Sequence, residues 1–514
     1  MFKLKYLGHA GWIVENKDFK CLCDPWFGPQ GAYFGQWYPF PRNSHLLKSD
    51  LYKDLDFIYI SHVHEDHYDK WFLEKVNKDT PIYIADFADK TLLHGLQDLG
   101  FTEVYEIEDG GDFELKNINI KIIKEESHLD ADSCILFDDG KSKVLNLNDC
   151  HIDFSKLKKT ANKVDVLLLQ ATSAIWWPCV YDYDNKTMRT HGKTKRDNNL
   201  NRALEYAKYL KAKMTIPNAG PPYFYDNKLD KWNYNRRKEW NPFVLADDAC
   251  KYLQERGVKA GMVIPGSTIK VAKKIDVLTD QKAMNRIYKD VDAYMKTYKG
   301  YLNIYADSKQ TATPAKIENA IVTFTRNIRQ IQKVSKFYTK QIEGAILFDL
   351  REWGRWVVDF SKEEPISKYS NEDCIYSFVI DPNSFAALFE EPTIDFEKYF
   401  LGCNFACTRH PDAYNEPLFA LLKHFDLKRF LMSENLYAYR GCAFSQSFAL
   451  EHNGCKMNVQ KYCPHMMADL EEIGYVDADS NLVCPLHGWK FDLQTGQCLN
   501  NKNVKIQVEK ITNG

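Results

Sequence analysis

Two short stretches near the C-terminus combine cysteine and histidine in the same order. Cys463 and His465 are separated by a proline, and Cys484 and His487 are separated by Pro-Leu. Each stretch offers one thiolate and one imidazole, the ligand set that holds a [2Fe-2S] cluster with two thiolates on one iron and two imidazoles on the other. Neutral imidazoles raise the reduction potential, which suits such a cluster to passing single electrons. Two cysteines and two histidines could instead hold a structural zinc ion, and the spacing alone leaves that alternative open.

The residues around these ligands resemble the two loops of Rieske ferredoxins and Rieske oxygenases. The loops have the sequences CPHMMADL, from Cys463, and CPLHGWKFDLQTG, from Cys484. Respiratory Rieske proteins carry an extra cysteine in each loop, where this chain has Ala468 and Leu486. The resemblance therefore implies a Rieske cluster of the low-potential, oxygenase type.

A second group of metal-binding residue types lies near the N-terminus. The apolar run 56–61, DFIYIS, is typical of a buried strand and leads directly into the segment 62–67, HVHEDH. Four ligand side chains within six residues cannot all be buried without a metal, because each would need its own polar partner. These four side chains are His62, His64, Asp66 and His67.

The pattern His-x-His-x-Asp-His resembles the signature of the metallo-β-lactamase fold. The resemblance implies that His62 and His64 bind one metal, and that Asp66 and His67 bind a second. It also implies that Asp149 bridges the two metals, as a carboxylate must in a two-metal centre.

Further candidate ligands follow in the order that this fold requires. His128 lies between the predicted strands 118–123 and 133–137, and Asp149 follows the predicted strand 144–147. We expect His128 to join the first metal.

The start of the chain resembles the lactonase-like branch of the metallo-β-lactamase superfamily, through the segments 7–10, LGHA, and 23–26, CDPW. His9 could be a metal ligand, but we expect it to support the site from outside the coordination shell. We expect Asp24 to orient a ligand histidine through the ring nitrogen that does not bind metal.

The last histidine ligand of the fold is missing from its expected place, residues 215–220. Asn218 is a weak replacement there, and His191 is a more distant one. A missing ligand leaves an open coordination position, which an oxygen-activating site needs and a hydrolase can also use.

The identity of the metal decides the function. Histidine and carboxylate ligands accept zinc or iron, so this motif does not choose between them. Hydrolysis moves no electrons, whereas a pair of irons must be reduced before it meets O₂. The cluster therefore predicts a di-iron monooxygenase that is reduced through its own Rieske cluster. A metal-dependent hydrolase with a regulatory Rieske domain is the alternative from another class.

The chain also resembles the CMP-N-acetylneuraminate hydroxylases, which combine these two modules. The similarity is carried by segments such as 24–27, 58–62, 132–135 and 203–225, and extends over about residues 1–430. It implies hydroxylation of the N-acetyl methyl group of CMP-N-acetylneuraminate or a related N-acyl sugar nucleotide. Electrons would come from NAD(P)H through a reductase or a b-type cytochrome. In that family the Rieske module lies at the other end of the chain, so another amine or amide metabolite remains an alternative substrate.

Composition narrows the class of protein. The 514 residues carry a net charge of -2, which provides no basic excess for a nucleic-acid partner. The sequence contains no run of 18 apolar residues, the length that would predict a membrane-spanning helix. The 14 cysteines are scattered without the regular spacing of a disulfide framework, so we expect a cytoplasmic protein. The oligomeric state is left open.

These observations predict an α/β protein of several domains. We expect a metallo-β-lactamase αββα sandwich over 1–270, a helical extension over 271–345, a small α+β domain over 346–432 and a small all-β Rieske domain over 433–514. We also expect several aromatic side chains to form an apolar wall around the metals. These are Trp26, Trp176, Trp177, Tyr223 and Phe224.

Overall fold

Strands rich in Ile, Val, Leu and Phe dominate the first 280 residues, as β-branched and aromatic side chains favour a pleated, buried surface. The computed structural model describes residues 1–48, 50–125, 132–306, 311–501 and 504–511. Within these ranges the contacts divide the chain into two units. The first comprises residues 1–174 and 189–308, and the second comprises 175–188 and 309–514.

All the described strands of the first unit lie before residue 280, and its last two helices follow that residue. Its strands are β1 (Phe2–Gly8), β2 (Gly11–Glu15), β3 (Lys20–Cys23), β4 (Trp37–Tyr38), β5 (Phe57–Tyr59), β6 (Ile82–Ala85), β7 (Val104–Ile107), β8 (Asp112–Leu115), β9 (Ile118–Lys124), β10 (Ser133–Asp138), β11 (Lys143–Asn148), β12 (Val166–Gln170), β13 (Met214–Asn218), β14 (Tyr223–Phe224), β15 (Thr268–Val271) and β16 (Ile275–Leu278). Its helices are α1 (Lys70–Leu73), α2 (Thr91–Asp98), α3 (Phe154–Ala161), α4 (Asn185–Tyr209, which begins in the second unit), α5 (Asp230–Asn233), α6 (Ala246–Glu255), α7 (Gln281–Tyr288) and α8 (Val291–Ala306).

Two large sheets form the sandwich of the first unit. One has the strand order β16-β15-β1-β2-β3-β5-β6-β7, and the other has the order β13-β12-β11-β10-β9-β8. Fully buried side chains from both sheets share one core, such as Leu4 and Ile58 from the first and Ile122 and Leu168 from the second. With its flanking helices, this unit has the expected metallo-β-lactamase fold.

Parallel pairing brings the ends of several strands together. Strands β11, β12 and β13 are parallel neighbours, so their carboxyl ends lie at one edge of the second sheet. Strands β3, β5, β6 and β7 are parallel neighbours in the first sheet. Loops at the carboxyl ends of parallel strands are where α/β proteins place their sites.

The second unit combines an α+β layer with two small sheets. Its strands are β17 (Ala345–Asp349), β18 (Arg355–Val358), β19 (Ile366–Lys368), β20 (Cys374–Ile380), β21 (Phe405–Arg409), β22 (Ser447–His452), β23 (Cys455–Gln460), β24 (Tyr475–Val476), β25 (Asn481–Cys484), β26 (Trp489–Asp492) and β27 (Val508–Lys510). Its helices are α9 (Pro314–Val334), α10 (Tyr338–Gln341), α11 (Pro382–Leu388), α12 (Phe396–Leu401), α13 (Glu416–Lys423), α14 (Leu427–Ala443) and α15 (Leu470–Ile473).

Three sheets organise these strands. The five-stranded sheet has the order β19-β18-β17-β20-β21, and aromatic side chains such as Phe324 of α9 and Phe378 of β20 fill the core around it. The two three-stranded sheets, β22-β23-β27 and β24-β25-β26, form the small all-β domain at the C-terminus.

The middle of the chain differs from the sequence-based expectation in two details. The segment expected to be wholly helical, 271–345, also contains β16, which extends the first sheet next to β15. Its helices α7 and α8 belong to the first unit, whereas α9 and α10 belong to the second. None of the described helices is long and apolar enough to cross a membrane. Every described cysteine is a free thiol.

Candidate metal centres

The loop after β5 meets the end of β11 in a cluster of buried ligand atoms. One ligand atom each from His62, His67 and Asp149 lies within 4.8 Å of the other two. Nε2 of His67 and Oδ1 of Asp149 are 3.3 Å apart, and neither atom has a hydrogen-bond partner among the described residues. Ligand atoms that share a metal at 2.0–2.2 Å stand about this far apart. Buried polar atoms without partners are costly, so the residues present fit a cation.

The remaining predicted ligands of the first metal are only partly described. The ring of His64 lies 4.4 Å from the ring of His62, measured between centroids, and is half-buried. His128 lies outside the described residues, so its predicted role stays a prediction.

A second cluster shares His67 and includes Asp66. Nε2 of His67 and Oδ2 of Asp66 are 3.8 Å apart. Nε2 of His9 lies 2.8 Å from the same Oδ2, and the three ligand atoms lie within 4.8 Å of one another. The hydroxyl of Tyr33 donates to the other oxygen of Asp66 at 2.5 Å. Both oxygens of this carboxylate are therefore held in place.

Hydrogen bonds to the Nδ1 atoms orient the histidines. Nδ1 of His67 lies 3.1 Å from Oδ2 of Asp24, as the sequence led us to expect, while Oδ1 of Asp24 accepts the backbone N–H of Ser61. Nδ1 of His62 lies 2.9 Å from Oγ of Ser61 and 3.2 Å from Oδ1 of Asp132. Partners on Nδ1 leave Nε2 of each ring for a metal, the usual arrangement around ligand histidines.

Backbone strain accumulates around the same residues. His9, Asp24, Asn148 and Ala219 have φ angles of 52°, 39°, 45° and 50°, in the left-handed region that favours glycine. Such conformations cost on the order of 1–3 kcal/mol each and persist where surrounding contacts enforce them. Asp24, Asn148 and Ala219 each follow or end a strand, namely β3, β11 and β13. The strain is thus located where the two sheets present their loops to the ligand cluster.

Charges in the cluster favour cation binding. Burial, with help from His67 and His64, lowers the pKa of His62 to about 3, so its ring is neutral and free to coordinate. Burial would raise the pKa of Asp149, but His67 and His62 hold it well below its ordinary value. Burial would lower the pKa of His67, but Asp149 and Asp66 raise it well above its ordinary value. A cation that binds there must therefore displace a proton from His67.

The position of the missing last ligand is occupied by an amide. Asn218 ends β13 beside Gln170 of β12 and is 2% exposed. Within the part of the chain that the structure describes, neither its Oδ1 nor its Nδ2 has a hydrogen-bond partner. The next residue, Ala219, donates its backbone N–H to the carbonyl of His9 at 2.9 Å. The other alternative, His191, is half-buried on α4.

The Cys–His loops converge in the C-terminal domain. The thiols of Cys463 and Cys484 are buried, whereas the imidazoles of His465 and His487 are half-buried and their ring centroids are 4.5 Å apart. Burial and the neighbouring Cys484 raise the pKa of the Cys463 thiol well above its ordinary value. Iron must therefore displace its proton, since thiolates are the ligands. Two buried thiols and two accessible imidazoles fit a [2Fe-2S] cluster with one type of ligand on each iron.

Neighbouring side chains complete this loop pair. Ala468 and Leu486 are buried where the respiratory proteins carry their extra cysteines. The Trp489 indole stacks on His465, with ring centroids 4.4 Å apart and an interplanar angle of 8°.

The aromatic residues expected around the metals divide into two groups. Trp26 packs edge-to-face against His9, and Phe224 lies against Trp37, a neighbour of Tyr33. Tyr223 is instead buried in a core with helices α7 and α8.

Trp176 and Trp177 belong to the second unit, and their predicted place in the metal-site wall stays a prediction. Trp176 packs on Phe400 and Phe419, with ring centroids 5.2 Å and 5.8 Å away. Trp177 donates its indole N–H to the hydroxyl of Tyr183. The backbone of 175–188 pairs with β21 through a bridge between Tyr181 and Cys407.

Sequence reasoning assigned no role to Tyr33, Ser61 or Asp132. Tyr33 lies on an irregular loop whose sequence carries no local motif, so only the fold shows its bond to Asp66. Ser61 precedes His62, and its position at the end of an apolar strand was a usable signal.

Three family models match this chain. A beta-lactamase superfamily domain matches residues 3–219, and a Rieske [2Fe-2S] domain matches residues 443–509. The chain joins a metallo-β-lactamase domain to a C-terminal Rieske domain. Between them, an Rv3818-like, SCP2-like domain matches residues 321–439.

Curated relatives align with nearly the whole chain or with about half of it. A provisionally named Rieske 2Fe-2S iron-sulfur protein of Mycolicibacterium smegmatis is 29% identical, over 98% of this chain and 99% of its own length. The cytidine monophosphate-N-acetylneuraminic acid hydroxylase of Pongo pygmaeus is 27% identical, over 56% of this chain and 50% of its own length.

Solved structures resemble about half of the chain. The metallo hydrolase Igni18 of Ignicoccus hospitalis is 17% identical, covers 53% of this chain and 99% of its own, and has a TM-score of 0.37. The diiron β-hydroxylase CmlA of Streptomyces venezuelae is 18% identical, covers 52% and 54%, and has a TM-score of 0.35.

Proposed function

We propose that the protein is an O₂-dependent monooxygenase with two irons in its metallo-β-lactamase domain, which receive electrons through its Rieske cluster. One observation carries the proposal. A single chain holds both the clustered histidine and carboxylate ligands of the first unit and the Cys–His loops of the second. A redox-active metal pair consumes electrons, which an electron carrier in the same chain can supply. A hydrolytic metal pair needs no electrons. A more general assignment, that the protein is an iron-sulfur oxidoreductase, depends on the Rieske domain alone.

In this proposal each predicted ligand binds one of two irons or lies between them. His62, His64 and His128 hold one iron, Asp66 and His67 hold the other, and Asp149 lies between them. The iron pair supplies reductive activation of O₂. The protein contributes the neutral imidazole of His62, the ionised carboxylate of Asp149 and ligand side chains buried away from water, such as that of His67.

Electron stoichiometry requires an external donor. Insertion of one oxygen atom of O₂ into a C–H bond consumes two electrons and two protons, and it releases the second oxygen atom as water. A Rieske cluster passes one electron at a time, so it must be reduced twice in each turnover. We propose NAD(P)H as the source, through a partner reductase or a b-type cytochrome.

For the substrate, we propose CMP-N-acetylneuraminate or a related N-acyl sugar nucleotide. The hydroxylase relatives support this class, as do cationic side chains on the inner face of α4. Lys195 and Arg202 lie seven residues apart, two turns along one helix face. Asn199, between them, donates to Oγ of Ser173 just after β12. Arg202 is fully buried, and the negative charge of Asp149 acts on it. This face carries positive charge beside the ligand cluster, which suits an anionic substrate.

Isotope labelling tests the proposal. Anaerobically reduced protein mixed with CMP-N-acetylneuraminate and ¹⁸O₂ should give one ¹⁸O atom in the N-acyl group. A Cys484→Ser variant should lose turnover with the natural reductase, because its cluster is not assembled. Product formed without O₂ would establish the hydrolase instead. O₂ uptake with a different amide or amine, and none with the sugar nucleotide, would retain the chemistry and discard the substrate.

A further inference from the structure

The second iron of the proposed pair has too few ligands if the fold's usual pattern is followed. That pattern supplies Asp66, His67, the bridging Asp149 and a histidine from the end of β13. In this chain β13 ends in Asn218. A carboxamide is a poor ligand for iron compared with imidazole. Either the position is open, or another side chain fills it.

His9 reaches the same corner from the opposite sheet. It lies in the turn between β1 and β2, and its carbonyl accepts the N–H of Ala219, the residue after Asn218. A Cβ atom on the following residue, Gly220, would be 3.8 Å from Cε1 of His9. The imidazole of His9 thus lies next to the strand end from which the missing ligand would project.

We infer that His9 is a ligand of the second metal and replaces the histidine that β13 lacks. Its Nε2 is 2.8 Å from Oδ2 of Asp66, which is itself 3.8 Å from Nε2 of His67. The ligand atoms of His9, Asp66 and His67 thus lie within 4.8 Å of one another, and Oδ1 of Asp149 is 3.3 Å from Nε2 of His67. These separations suit ligands of one cation at 2.0–2.2 Å.

The surroundings of His9 support a ligand role. The residue is 2% exposed and adopts a φ of 52°, a conformation that a β-hairpin turn would more readily give to glycine. Trp26 and His67 pack edge-to-face against its ring, at 4.9 Å and 5.6 Å between centroids. The ring is therefore held in one orientation, with Nε2 towards the carboxylate. Strain retained at a buried histidine is typical of a functional constraint.

The ligand assignment also explains the second partner of Asp66. A carboxylate that binds metal through Oδ2 keeps Oδ1 for a hydrogen bond, and the hydroxyl of Tyr33 donates to it. Tyr33 therefore supports Asp66 without touching the metal, whereas His9 coordinates. This difference provides a matched control.

The inference rests on the proposed metal pair, and iron content tests it in the full-length protein. The parent protein, loaded with Fe(II) anaerobically, should bind irons beyond those of its Rieske cluster. His9→Gln should bind one iron fewer per chain, with the loss of one high-spin Fe(II) component in the Mössbauer spectrum. Tyr33→Phe should keep the full iron count and weaken binding by about 10–100-fold, as expected for a supporting partner.

A second change separates loss of a ligand from damage to the fold. Asn218→His in the His9→Gln background should restore the missing iron, because it returns a histidine to the end of β13. Full iron content in His9→Gln, with a change in affinity no larger than in Tyr33→Phe, would overturn the ligand role and leave the oxygenase proposal intact. A parent protein with no iron outside the Rieske cluster would overturn both.

Discussion

At the scale of single residues, we expect the loss of the Asp24 side chain to lower the metal affinity of the first unit. It fixes His67 through Nδ1 and is itself held by the N–H of Ser61. Replacement of such partners lowers metal affinity by about 10–100-fold. Asp24→Ala should therefore bind iron in the first unit that much more weakly in a chelator competition assay. Asp276→Ala removes a half-exposed carboxylate of β16 that pairs with Lys274, and this variant should keep the iron affinity of the parent protein.

A change of one Rieske ligand should shift the potential in a known direction. In His487→Cys a charged thiolate replaces a neutral imidazole, which stabilises the oxidised cluster. We expect the cluster to assemble with a lower reduction potential, measured by protein-film voltammetry. A potential that is unchanged or higher would show that His487 is not a ligand. Colourless, zinc-loaded parent protein would exclude the cluster altogether.

Lys195 should make substrate binding depend on pH. Burial, together with Arg202, lowers its pKa from 10.5 to about 8. The lysine is charged below that pH and neutral above it, so KM for an anionic sugar nucleotide should rise as the pH increases through about 8. Lys195→Met should have a high KM with no such transition. Lys193→Met removes an exposed lysine paired with Asp197 on the same helix, and KM of this variant should still rise with pH as it does in the parent protein. A parent KM that stays constant from pH 7 to 9 would contradict the role.

How far the sequence predicts a site depends on whether its residues are neighbours in the chain. The Rieske ligands lie in two short motifs, and His62 to His67 lie in one, so their types and spacing were informative. His9 is 57 residues from Asp66, and only the pairing of β1 with β2 and the end of β13 brings it there. The sequence therefore placed it in a supporting role.

At the scale of elements, Asp69 connects helix α1 to the loop that carries Trp26. Its carboxylate accepts the N–H groups of Phe27 and Gly28 at 2.7 Å and 2.6 Å, and it caps α1 by accepting from Phe72. Loss of a cap costs about 1 kcal/mol, and each buried donor left without a partner costs about 1–3 kcal/mol.

Asp69→Ala removes one cap and leaves two backbone donors without a partner, so it should destabilise this part of the first unit by about 3–7 kcal/mol. Hydrogen exchange should show faster exchange at Phe27, Gly28 and Phe72. Asp69→Asn keeps an accepting oxygen and should lose much less. If the three amides exchanged equally fast in Asp69→Ala and Asp69→Asn, the hydrogen bonds of Asp69 would not be what holds the loop.

Elements with a strong hydrophobic pattern were predictable, and those decided by distant partners were not. The expected strands at 118–123, 133–137 and 144–147 appear as β9, β10 and β11, each within a residue or two at its ends. The segment 175–188 has no pattern of its own. It takes its structure from β21, more than 200 residues away in the chain.

At the scale of the whole molecule, the two metal centres should respond independently to mutation. His64→Ala removes a ligand from the first unit and leaves all four Rieske ligands in the second. We expect turnover to be abolished while the visible and EPR spectra of the reduced cluster are unchanged. Loss of the cluster in this variant would mean that the centres are not built by separate modules. His94→Ala, at an exposed histidine of α2, serves as the control and should keep both properties.

The chain passes between its two units three times, after residues 174, 188 and 308. A chain cut once near residue 308 would therefore not yield two complete halves. The N-terminal fragment would keep Trp176 and Tyr181 but lose the helices on which Trp176 packs and the strand β21 that pairs with Tyr181. It would expose apolar surface that favours aggregation. The C-terminal fragment would lack an edge of its sheet. A single cut in the chain therefore cannot separate the two units, because residues 175–188, which complete the second unit, lie within the sequence of the first.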